Sequence, residues 1–340
     1  KAELILNKSA FYFIGMKFIF RFIVLILSKS SILVGGQAVI EGVMMRVPGA
    51  YSTAVRDPNG DIQLDRHEFI SLTEKYKYLK LPFIRGIISL FEAMKIGIQT
   101  LTWSAEIALP ESEKQKDRNK LLESGSSALA LILAVSLFFI APLGITSWLF
   151  DKNNEPFLFN ILSGTVRISI FLVYLLAISM MKDVKRLFQY HGAEHKTVYT
   201  FENGSPLNVE SARDFPTQHP RCGTSFIFII MIVAILFFAV IDSVAIPFLG
   251  DLTLLKRLAL HLPLIPFVAG VGYEVLKITA KHRKNPIFRA FSQPGIWLQN
   301  ITTKQPDDKQ LEVAITSLKS AFGDKIHHFE GREFEAEAIG

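Results

Sequence analysis

From Ser127 to Phe150 the chain reads SALALILAVSLFFIAPLGITSWLF, without one charged side chain. A run this long and apolar matches the ~20 residues that carry a helix across a bilayer core about 30 Å thick. Inside lipid the backbone must satisfy its own hydrogen bonds, so such a run folds as a helix. Three further runs follow. Phe157–Met181 holds one internal charge, Arg167, and Thr224–Phe248 is strongly apolar. Leu258–Ile278 is weaker, because His261, Pro263, Pro266 and Glu274 belong against other helices rather than lipid. Hydrophobic residues make up 50% of the chain and are concentrated in these runs instead of being spread at core spacing. The expectation is a membrane α-helical bundle of about four transmembrane helices, with a small cytoplasmic α+β portion.

The formal net charge is +6, but the basic residues flank the apolar runs and form no nucleic-acid-sized face. Nucleic acid is therefore excluded as a partner. Lys114, Lys116, Arg118 and Lys120 precede the first run; Lys182, Lys185, Arg186 and Lys196 follow the second. Lys277, Lys281, Arg283, Lys284 and Arg289 follow the fourth, whereas the opposite connectors hold Lys152 and the pair Lys256–Arg257. The positive-inside rule then predicts a multi-pass protein of the cell (plasma) membrane, with both main termini and the 182–223 loop cytoplasmic. Cys222 is the single cysteine, so no intrachain disulfide forms, which suits a reducing compartment.

Four regions result. Residues 1–33 form an uncertain N-terminal segment, in which 11–27 is apolar but carries Lys17 and Arg21. It reads as a short spanning or interfacial helix or an extension outside the reading frame, with a signal-type segment ranked lowest because no A-x-A-like cleavage site follows. Residues 34–120 are a cytoplasmic or interfacial region. Within it YSTAVR and DIQLDRHEFI flank the turn sequence Asp57-Pro58-Asn59-Gly60, which predicts a β-hairpin over 50–70. Over 85–106 polar residues recur at helical spacing opposite a broad apolar face, as in a helix lying on the membrane or packed under the bundle. Residues 121–280 hold the four spans with the cytoplasmic 182–223 loop, and 281–340 form a cytoplasmic tail with a short amphipathic helix at 308–321.

Chemistry concentrates after the second span. His191 and His195 stand four residues apart and share one face of a helix, and Glu194 adjoins the second, giving H-x-x-E-H. Two imidazoles so spaced grip one metal ion, and the acid is placed as a general base. An ordinary solvated helix face has the same spacing, so the pattern needs support. It comes from His219-Pro220-Arg221-Cys222, which adds an imidazole and a thiol at the mouth of the third span. These donors call for a divalent metal, zinc ahead of iron. Cys222 also reads as a small buried hydrophobe and His219 as a loop hydrogen-bonder. Glu202, Glu210 and Asp214 are either carboxylate ligands or solvated loop residues. Glu41, in the apolar Gly-rich run GGQAVIEG, is costly to bury alone and stands as a second catalytic candidate beside a structural reading. Arg167 and Glu274, inside spans, form a candidate ion pair.

Taken together, GGQAVIEGVMMR (35–46), RGIISLFEAMKIGIQTLTWSA (85–105) and YHGAEHKTVYTFENG (190–204) resemble the bacterial YqhQ-like family. So do HPRCGTSF (219–226), PFVAGVGYEVLK (266–277) and PGIWLQNITTKQPDDKQLEVAITSL (294–318). That family is a domain of unknown function described as predicted metal-dependent enzymes of multi-pass membrane type. The resemblance implies a metal centre on the HGAEH block and brings no substrate. The resulting expectation is a metal-dependent, hydrolase-like enzyme at the cytoplasmic face. His191 and His195 would hold the metal with His219 or Cys222, and Glu194 would act as base. Its partners would be the lipid bilayer, an unknown substrate, and a second copy or another membrane protein. The alternative is a non-catalytic scaffold, assembly factor or transport accessory with a structural metal or polar cluster.

Overall fold

The computed structural model describes residues 34–110, 120–150, 155–220, 222–281 and 285–329. The expectation for 11–27 falls outside them. The described residues open on an antiparallel meander of β1 (Gly35–Val39), β2 (Gly42–Val47), β3 (Ala50–Arg56) and β4 (Ile62–Glu68), in that spatial order. The hairpin expected over 50–70 is β3–β4, in register from Ala50↔Glu68 to Arg56↔Ile62. Its turn is fixed locally: Asp57 Oδ1 accepts from the amides of Asn59 and Asp61 at 2.9 and 3.0 Å, and Gly60 takes φ 98°.

The first hairpin, β1–β2, has no alternation to announce it. Val43 and Met45 enter one core and Met44 another, so β2 is buried on both faces and reads as continuously apolar.

After α1 (Leu72–Lys75) comes α2 (Ile84–Ala108), the expected amphipathic helix. Its buried side is the small and polar one, with Gly86, Glu92, Ile96, Gly97, Thr100 and Ser104, while Phe91, Met94, Ile98 and Leu101 face outward. A soluble helix does the reverse. Glu92 is held by Ser71 Oγ at 2.8 Å and by the Leu72 amide at 2.7 Å, which secures the start of α1.

Four stretches among the described residues are long and apolar enough to cross a membrane: Ala128–Leu149, Pro156–Ser179, Phe226–Leu249 and Leu254–Thr279. The first comprises the second half of α3 (Lys120–Val135), a π-helical turn at Ser136–Ile140, and α4 (Ala141–Leu149); the second is α5 (Pro156–Ser179). The chain then breaks at Met181, in extended conformation at ψ 138°, before α6 (Lys182–Glu202). So the helix bearing the histidines does not continue the span directly. The short α7 (Val209–Arg213) leads to the third apolar stretch, within α8 (Gly223–Leu249). The fourth is α9 (Leu254–His261), a 3-10 turn over Leu262–Leu264, and α10 (Ile265–Lys281). The prolines at 263 and 266 accompany that interruption.

Beyond the bundle, α11 (Pro286–Thr302) leads to α12 (Asp308–Phe322), which begins on an Asp307–Gln310 capping box. The helix expected at 308–321 is α12, and it is no solvated appendage. Leu311, Ala314, Leu318 and Phe322 join Val43, Met45 and Ala54 of the sheet and Tyr190, Ala193 and Phe201 of α6 in one core. The sheet thus lies between α6 and α12 on one face and α2 on the other.

The expected Arg167–Glu274 pair does not form. Glu274 is bound by Arg85 of α2 through both Nε and Nη2, and Arg167 donates instead to the Phe138 carbonyl at 2.9 Å. Helix packing decides this: Gly86 of α2 lies against Gly270 and Tyr273 of α10, and that close approach brings Arg85 to Glu274. A different buried cluster closes the far end of the bundle. Asp242 accepts from Asn160 at 2.8 Å, pairs with His261 at 2.8 Å, and pairs with Arg257, whose guanidinium lies 4.3 Å from the Phe159 ring centroid.

Candidate metal centre

One helical turn on α6 brings the rings of His191 and His195 to a centroid separation of 4.5 Å. Cys222 reaches them from the start of α8, where its sulfur caps the helix by accepting from the Thr224 amide at 3.4 Å. One donor atom each from His191, His195 and Cys222 lies within 4.8 Å of the other two, and His191 Nε2 is 3.1 Å from Cys222 Sγ.

Backbone carbonyls set the ring orientations. His191 Nδ1 meets the Thr302 carbonyl at 2.8 Å and His195 Nδ1 meets the Thr217 carbonyl at 2.5 Å. A carbonyl only accepts, so each Nδ1 carries the proton and each Nε2 presents a lone pair. Two lone pairs and a sulfur at such range repel unless a cation or proton lies among them. Outer hydrogen bonds that fix ring tautomers in this way are the usual support of metal-binding imidazoles. The donor set therefore fits a zinc-like ion.

Glu194 completes the wall. Its Oε2 stands 3.4 Å from His195 Nε2, and the residue is 5% exposed. His191, Glu194, His195, His219 and Cys222 line a cavity of about 110 Å³ together with Val34, Gly35 and Gly36 of the β1 end. Burial pushes the His195 pKa down, reinforced by the charge of His191 and opposed by the Cys222 and Thr217 contacts. The ring is therefore held neutral, the form a metal needs.

The supporting contacts were not foreseen from the sequence. Lys196 is buried, and its ammonium donates to the carbonyls of Arg213, at 2.7 Å, and Phe215, steadying the loop that offers Thr217 to His195. Gln299 of α11 grips the backbone of His219 on both sides, accepting from its amide at 2.7 Å and donating to its carbonyl at 2.8 Å. Lys304 docks by its amide on the Phe188 carbonyl at 2.9 Å, beside the Thr302 carbonyl that holds His191. Backbone carbonyls leave no residue signature. Gln299, a polar residue between Leu298 and Ile301 in the amphipathic helix 286–302, was the available signal, and the structure buries it fully.

The remaining candidates divide. His219 lines the cavity but turns Nε2 toward Glu202 Oε2 at 3.4 Å, outside the three-donor group. Glu210 and Asp214 are exposed. Glu41 lies apart from the cavity lining, in the two-residue β1–β2 turn at φ 53°, where Arg186 binds both its oxygens and the Tyr190 hydroxyl donates at 3.3 Å. Its cost of burial is met by that ion pair, which ties the turn to α6.

A family model described as "Protein of unknown function (DUF1385)" matches residues 81–324. The chain is also 35% identical over 307 residues to the "Uncharacterized protein YqhQ" of Bacillus subtilis (strain 168), covering 84% of this chain and 90% of that protein. No solved structure matches. By these two matches the chain belongs to the DUF1385 family, and the uncharacterised YqhQ protein is its relative.

Proposed function

We propose that this chain is a metal-dependent, hydrolase-type enzyme of the cell membrane, with its site at the cytoplasmic face. The observation that carries the reading is the convergence of His191, His195 and Cys222 on a cavity that also holds Glu194. The four apolar helices serve as spans, and the basic flanks at 114–120, 182–196 and 277–289 keep both main termini and the 182–223 segment in the cytoplasm.

His191, His195 and Cys222 would hold the ion, zinc ahead of iron, which supplies Lewis acidity and acidifies a bound water when present. The Thr302 and Thr217 carbonyls keep both rings in the ligating tautomer. Glu194, at the cavity wall, is placed to take and return a proton. Three donors beside an open cavity favour catalysis over a structural site, which is closed by four protein ligands. A scaffold or assembly role with a closed metal site is the competing reading, and ligand counting separates the two.

Detergent-purified protein is expected to carry close to one zinc or iron per chain. His191→Ala and His195→Ala should each lower that below about a tenth, as expected when a metal loses a direct ligand. Cobalt-substituted protein should show a thiolate-to-metal absorption band that Cys222→Ser removes. Full metal content in the His191→Ala, His195→Ala double variant overturns the site.

A further inference from the structure

The strand that borders the cavity is also a sheet edge. Among the described residues nothing pairs with β1 beyond β2, since the order is β1-β2-β3-β4. Val39↔Gly42 closes a two-residue turn, so Gly35, Gln37 and Val39 exchange hydrogen bonds with β2. The N–H and C=O groups of Gly36 and Ala38 therefore point to the other side. The faces of β1 are covered: Gly36 lies against Glu194 of α6 and Gln37 against Gly97 of α2. Folded proteins blunt such edges with charges, proline or bulges, and GGQAV has none of these.

The edge leads into the metal cavity, because Gly35 and Gly36 share its wall with His191, Glu194, His195 and Cys222. Glycine is required for that approach: a Cβ on Gly36 would lie 2.7 Å from Glu194 Cγ and 2.6 Å from the Met44 carbonyl oxygen. A Cβ on Gly35 would meet nothing within 4 Å. A chain paired on β1 would lie about 4.8 Å outward, beside a strand whose Gly35 and Gly36 border the cavity.

We propose that the substrate is an extended peptide segment that adds to β1 as a fifth strand, its backbone held by Gly36 and Ala38. The inference rests on the hydrolase reading above and names its substrate class. Strand addition supplies affinity through main-chain hydrogen bonds and leaves side chains to set preference. Hydrolysis of an amide placed there consumes one water: its oxygen bonds to the carbonyl carbon and the C–N bond breaks. One proton passes through Glu194 to the departing amine.

The test is amide hydrogen exchange on the full-length, detergent-purified protein, with and without a saturating pool of random ten-residue peptides. Metal content is measured on the same sample. Exchange at Gly36 and Ala38 should slow at least tenfold, while Gly35, Gln37 and Val39, already bonded to β2, stay unchanged. A pool N-methylated on every backbone nitrogen should give no protection. Ala38→Pro removes one outward N–H without touching the β2 pairing, and should abolish retention of the pool at unchanged metal content. If that variant loses its thermal transition, the exchange pattern of the unaltered chain decides. Unchanged exchange at Gly36 and Ala38 in metal-loaded protein overturns the peptide inference and leaves the metal reading standing. Protection at both positions in a protein that binds no metal overturns the hydrolase reading and keeps the peptide site.

Discussion

Gly192 sits between the two ligand histidines, and replacing it with alanine is the sharpest test of how the centre is held. A Cβ there would lie 2.1 Å from the Lys304 carbonyl oxygen and 3.2 Å from its carbonyl carbon. That is roughly 1.3 Å inside the 3.4 Å at which ordinary contact begins, and the obstacle is backbone. The 302–304 segment must therefore back away from α6. Two hydrogen bonds go with it: Lys304 N–H to the Phe188 carbonyl at 2.9 Å, and His191 Nδ1 to the Thr302 carbonyl at 2.8 Å. Each such bond contributes about 0.5–1.5 kcal/mol net, and overpacking a tight site costs about 1–3 kcal/mol more. Gly192→Ala should thus destabilise by about 2–6 kcal/mol and free the His191 ring to rotate, so metal retention should fall at least about tenfold. Thermal unfolding and metal analysis in detergent read both effects, with Gly35→Ala as the control whose Cβ meets open space. An unchanged transition with full metal content would refute the argument that Lys304 and Thr302 lock the helix.

Three other outcomes follow from the same contacts. Asp242→Asn leaves the buried Arg257 without its anionic partner and should cost about 3–5 kcal/mol; unchanged denaturant resistance in detergent would show that the cluster adds nothing. Nitroxides placed at Phe91 and Ile98 of α2, in a Cys222→Ala background, should be more accessible to oxygen than to a water-soluble nickel chelate in vesicles. The reverse order would put the outward apolar face of α2 in water. Burial holds His195 below the ordinary imidazole value of 6.5. The unfolded chain therefore binds its proton first, and metal-free protein should lose stability as pH falls below 6.5. His195→Asn should flatten that slope between pH 7.5 and about 5.5, and an equal slope in the variant would assign the effect to another group.

The sequence by itself determined the parts whose physics is local. A nearly uncharged run of bilayer length favours one solution, a helix, so the four helices long and apolar enough to cross a membrane could be located from hydropathy. Asp57-Pro58-Asn59-Gly60 closes its own turn, and the four-residue spacing of His191 and His195 puts both rings on one side of whichever helix carries them. Tertiary structure decided everything that depends on partners distant in the chain. It brought Cys222 to the histidine pair, supplied the Thr217 and Thr302 carbonyls that fix the rings, and turned His219 toward Glu202. It gave Glu274 to Arg85 rather than Arg167 and folded α12 onto the sheet. Hydropathy and helical period state how a segment orients its own side chains. Which opposing surface meets that segment is settled by close packing among all the elements at once, as where Gly86 and Gly270 let two helices touch.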